Sequence, residues 1–98
     1  MSSASDAELV RSAARGDAAA WHALVERHAG LVWSVAQGYG LTVDDAAAVS
    51  QATWRRLACH LRRMDDPSRV GDWLAIRAAQ ASRTRRGPGR TTRTSTAV

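Results

Sequence analysis

From residue 17 to residue 64 the apolar side chains recur at three-and-four spacing, in two runs separated by Gly38 and Gly40. The first run carries Trp21, Leu24, Val25, His28, Leu31, Val32 and Val35; the second carries Ala46, Val49, Thr53, Trp54, Leu57, Leu61 and Met64. That period places one apolar stripe on each of two helices, and each stripe must be buried against another element. No stretch alternates with period two over the length of a strand, and no segment repeats at 20 to 50 residues, so a helical bundle is the architecture the pattern supports.

Gly, Pro and capping residues set the boundaries. Ser5-Asp6-Ala7-Glu8 reads as a capping box, and Gly16 closes the helix it opens, over about residues 6 to 15. Asp17 caps the second helix. Thr42-Val43-Asp44-Asp45 supplies a cap and first-turn acids to a third, which runs to about Arg63. Asp66-Pro67 provides an N-cap and an N1 proline for a fourth, which presents Val70, Trp73 and Leu74 on one side and fades near Arg83. Gly87-Pro88-Gly89 and the polar run after it carry no apolar period. The expectation is an all-α, small four-helix bundle over residues 1–83, with an Arg/Thr-rich tail over 84–98 that is disordered until bound.

At 98 residues there is room for one domain, and 20 of the apolar residues are Ala, leaving few large side chains for a core. Trp21, Trp54 and Trp73 fall on their apolar stripes and are expected as core anchors, with Trp33 off the stripe and more exposed. A deep enclosed pocket is not expected in so thin a body, which points away from an enzyme. His22, His28, His60 and Cys59 include no pair at i, i+4, so no helical metal site is expected. Asp44-Asp45 and Asp65-Asp66 sit at helix starts, where capping accounts for them. There is no Gly-rich phosphate loop, no nucleophile elbow and no Lys. One Cys, no apolar run near the roughly 18 residues of a membrane span and no signal-peptide pattern lead to the expectation of a cytoplasmic protein with no membrane partner.

Charge is unevenly placed. Residues 1 to 74 hold 8 Arg against 9 Asp and Glu, whereas residues 75 to 98 hold 6 Arg and no acid. A cationic end on a near-neutral body is the electrostatic footprint of a polyanionic partner, nucleic acid first.

The order of motifs resembles a known family. Glu8-Leu9-Val10-Arg11-Ser12-Ala13-Ala14-Arg15-Gly16-Asp17, then Ala20-Trp21 and Leu24-Val25-Glu26-Arg27-His28, is similar to the opening of bacterial extracytoplasmic-function sigma factors. Asp45-Ala46-Ala47-Ala48-Val49-Ser50-Gln51 with Trp54-Arg55-Arg56-Leu57 resembles that family's Asp-Ala-x-Asp-x-x-Gln helix, and Asp66-Pro67 with Trp73-Leu74-Ala75 resembles its Pro turn and Trp-Leu helix. The likeness covers residues 8 to 86 and concerns region 2 of the family. It implies a transcription-initiation module without a cofactor. Asp45, Gln51, Arg55 and Arg56 would contact the clamp helices of the RNA polymerase beta-prime subunit. Arg62, Arg63, Arg69, Arg77, Gln80, Arg83, Arg85 and Arg86 would contact the single-stranded non-template strand of the −10 promoter element. The sequence departs from the family at Ala48, where a second acid is usual, and at Arg77 and Ala79-Gln80, where an apolar residue and a basic pair are usual. These departures, and the lack of a following helix-turn-helix module, leave an alternative: a truncated sigma-like interaction module that binds polymerase or an anti-sigma factor without opening promoters.

Overall fold

The computed structural model describes the backbone of residues 4–96 and the side chains of residues 4–86. The protein is all-α, with four helices in the order α1 (Asp6–Ala14), α2 (Ala18–Gly38), α3 (Val43–His60) and α4 (Val70–Thr96). Two short 3₁₀ turns, Leu61–Arg63 and Pro67–Arg69, link α3 to α4. Among the described residues there is no strand, and no helix is long and apolar enough to cross a membrane.

The boundaries follow from local chemistry. Ser5 Oγ accepts from the Glu8 amide at 3.1 Å, and the Ser5 amide donates to Glu8 Oε1 at 2.8 Å, so two orphan donors are satisfied reciprocally. Gly16, at φ +95°, closes α1 in a Schellman motif, its amide donating to Ala13 O and that of Asp17 to Ser12 O. Asp17 Oδ1 then accepts from the amides of Ala19 and Ala20, and Thr42 Oγ1 from that of Asp45. The third helix ends sooner than its apolar period suggests: α-helical geometry stops at His60 and tightens into the 3₁₀ turn, after which Met64 is extended.

Neighbouring helices run antiparallel, so α2 and α4 lie parallel. His28 of α2 lies beside Gly71 of α4, and Tyr39 bonds Arg83 eleven or twelve residues further along both helices. A Cβ built on Gly71 would meet His28 Cε1 at 3.3 Å, tighter than ordinary van der Waals contact, so this glycine permits the close approach of α2 and α4.

The core is aliphatic. Leu24, Leu57, Leu74, Val10, Val32 and Val70 are fully enclosed where all four helices meet. A smaller cluster of Ala36, Ala46 and Val49 sits towards the other end, beyond the reach of α1. Contrary to the expectation of tryptophan anchors, all four Trp are half-buried. Trp21, Trp54 and Trp73 pack on the rim of the larger cluster, the first two edge to face with centroids 6.0 Å apart, and Trp33 packs on the smaller one. Helices rich in Ala approach too closely, and the bundle is too thin, to enclose an indole on every side.

Beyond Arg83, where the apolar period fades, the chain stays helical through Thr84, Arg85 and Arg86. Tertiary contacts hold this last described turn: Ser82 is wholly buried, Arg83 Nη1 donates to Tyr39 Oη at 3.0 Å, and Arg85 Nε to Asp45 Oδ1 at 3.0 Å. Of the remainder of the tail expectation, the backbone of residues 87–96 continues α4, and residues 97–98 lie outside the described residues.

Candidate nucleic-acid interface

Antiparallel packing of α3 and α4 creates a groove of about 660 Å³ along their shared flank. It is lined by small or short side chains, Ala48, Ala52 and the buried Val49 and Thr53 of α3 with Ala81 of α4, and by long polar ones: Arg56 from α3, Arg77, Gln80 and Arg85 from α4. Among the described residues no carboxylate and no aromatic ring lines it, although Asp45 pairs with its Arg85. Just outside, the rings of His60 and Trp73 stack with centroids 5.2 Å apart, and the Arg77 guanidinium lies over Trp73 at 5.3 Å from the ring centroid. This cation–π contact holds the half-buried Arg77 stem against the bundle. Arg77 Nη1 also donates to Gln80 Oε1 at 3.3 Å.

The four residues expected on a polymerase face do not share one face. At about 100° per residue, Asp45 and Arg56 are within about 20° of each other, while Gln51 and Arg55 lie on a different side of α3. Gln51 and Arg55 are exposed. Asp45 turns towards α4 and pairs with Arg85, its side chain only 15% exposed, and Arg56 lines the groove.

The eight residues expected on DNA likewise divide. Arg77, Gln80 and Arg85 converge on the groove, and Arg86 is exposed one residue beyond it. Arg83 leans the other way, to Tyr39. Arg69 is engaged by Asp72, with Nε and Nη2 at 3.1 and 2.9 Å from Oδ2. Arg62 and Arg63 lie at the α1 end: Arg62 Nε donates to Ala14 O at 3.2 Å, supporting the last carbonyls of α1, and Arg63 Nη2 to Cys59 O at 3.5 Å. These two do not join the groove.

Sequence reasoning missed Thr84 and the alanines of the lining, which carry no chemical signal. It also missed the membership of Arg56, for which a signal existed: Asp45, Val49, Ala52 and Arg56 recur at helical spacing and mark the flank of α3 that meets α4. No family model matches the chain, and comparison with curated proteins and with solved structures finds no match either.

Proposed function

We propose that this chain is a transcription-initiation module of the sigma region 2 type, which docks on the polymerase clamp and engages single-stranded −10 promoter DNA in the cytoplasm, without catalysis or cofactor. The reading rests on the ordered motifs and, above all, on one observation: three guanidiniums, of which Arg85 is paired with Asp45, line a groove between α3 and the helix that leads into the cationic end. Single-stranded nucleic acid is bound through such positive grooves. The outward side of α3, with Gln51 and Arg55 exposed, is then the surface left for the beta-prime clamp.

The test is twofold. The full chain is expected to be captured by a clamp-helix fragment, with capture lost in Arg55→Glu, and to shift a single-stranded −10-like oligonucleotide more strongly than a base-scrambled one. Failure of both at moderate ionic strength overturns the reading. Clamp capture with blank DNA assays selects instead an interaction module that binds polymerase or an anti-sigma factor without opening promoters. The Asp45–Arg85 pair favours that alternative, since it ties the acid that the resemblance puts on one surface to a guanidinium of the other.

A further inference from the structure

We propose that the α3/α4 groove grips the sugar-phosphate backbone of a single strand without reading its bases, and that Arg56 belongs to this cradle rather than to the polymerase face. The inference deepens the proposed function and rests on its assignment of single-stranded nucleic acid to this groove.

Three observations carry it. First, Arg56 and Arg77 face one groove from opposite helices, and neither forms an ion pair among the described residues. Arg85 stands two turns beyond Arg77 on α4, about 12 Å along the axis, so the cations track a length of backbone rather than one isolated phosphate. A guanidinium presents a planar fork suited to phosphate oxygens. Arg85 is held by Asp45, which tempers the positive field at that end, but it is half exposed and a phosphate can compete for it.

Second, among the described residues the groove offers no aromatic ring on which a base can stack. Between the guanidiniums it is lined by Ala48, Val49, Ala52, Thr53 and Ala81, and the indole that Arg77 touches, Trp73, already carries His60 and the Arg77 guanidinium on its ring. Third, the one amide placed to read base edges, Gln80, has its carbonyl engaged by Arg77. Contacts of this kind position a strand and carry no sequence information, so any base preference of the whole chain arises outside the groove.

The experiment uses the full chain and fluorescence anisotropy over a series of salt concentrations, with an oligothymidylate and the same strand made abasic. Arg56→Ala is expected to weaken binding of the two strands by factors within about threefold of each other, because the cradle's contacts are to phosphate. Arg56→Ala should weaken both severalfold and lower the log–log salt slope by roughly 0.7, the value of one single-strand phosphate contact. Arg56→Lys should retain most of the slope, and Arg11→Ala, which removes the same charge from α1, should leave it unchanged. An unaltered slope in Arg56→Ala, or a loss in that variant more than about threefold larger for the oligothymidylate than for the abasic strand, overturns the cradle. If the clamp fragment is captured while Arg56→Ala changes no strand binding, the cradle falls and the transcription reading stands. If both strands bind alike through Arg56 while the clamp is never captured, the cradle stands and the transcription reading falls.

Discussion

Asp6 shows how much one carboxylate does in a chain this small. It is the first residue of α1, where a negative charge suits the helix dipole, and its Oδ1 accepts from Arg27 Nη1 at 3.0 Å and lies 3.1 Å from His28 Nε2, both on α2. Burial alone would raise its pKa; the hydrogen bonds to His28 and Arg27, and then their charges, outweigh burial and hold the carboxyl below the ordinary carboxylate range. A group with a depressed folded pKa adds stability that is complete above its unfolded value, about 3.9, and is lost as pH falls through the folded one. Asp6→Asn is therefore expected to lower stability at pH 6 by about 0.5–1 kcal/mol, the scale of a partly exposed ion pair. Urea midpoints of the two proteins should converge as pH drops towards 2, and a gap that persists there contradicts the assignment. Depth of burial, by contrast, was not legible residue by residue. The period of Trp21, Trp54 and Trp73 identifies the inward side of each helix, but whether an indole is enclosed depends on how many elements cover it, which a one-dimensional pattern does not contain.

At the scale of elements, the starts of the first three helices were readable, because a cap is local chemistry: Ser5, Asp17 and Thr42 each accept from a backbone amide within three residues, whereas Asp66 caps the 3₁₀ turn Pro67–Arg69 that precedes α4. The ends were less so. Termination of α3 at His60 and the persistence of α4 past Arg83 depend on contacts 40 or more residues away in sequence, such as Arg85 with Asp45 and Arg83 with Tyr39. Gly16 is the exception, an end written in one residue. A Cβ there meets nothing within 4 Å, so the cost of Gly16→Ala is the left-handed backbone alone, about 1–2 kcal/mol. Gly38, the last residue of α2, has equally open surroundings and no positive φ, so Gly38→Ala should be neutral or stabilising by up to about 1 kcal/mol. Thermal melts should separate the pair by several degrees, since about 1 kcal/mol moves the midpoint of such a domain by about 4–8 °C. A Gly16→Ala protein as stable as the parent would show that the Schellman closure does not hold α1 in place.

Across the whole molecule, the two clusters divide the bundle into unequal halves. At the α1 end, four helices and both 3₁₀ turns enclose Leu24, Leu57 and Leu74; at the other end, three helices meet over Ala36, Ala46 and Val49, with far less apolar volume to remove from water. The weaker half also contains the hydroxyl of Ser82, wholly buried and without a hydrogen-bond partner among the described residues, a defect worth about 1–3 kcal/mol. Its compensations are polar and exposed, Arg83 on Tyr39 and Arg85 on Asp45, and contacts of that kind contribute less than about 1 kcal/mol each. Local opening should therefore begin there, at the end of the groove where Arg85 sits. Native-state hydrogen exchange is expected to show the amides of Ala36 and Val49 exchanging at least about tenfold faster, corrected for intrinsic rates, than those of Leu24 and Leu57. Ser82→Ala removes the unpaired hydroxyl without adding volume, so it should slow exchange at Val49 more than at Leu57 and narrow that difference. Uniform protection along α3 in the parent protein would mean that the small cluster is as firmly closed as the large one, and that the exposed polar ties carry more than their ordinary share.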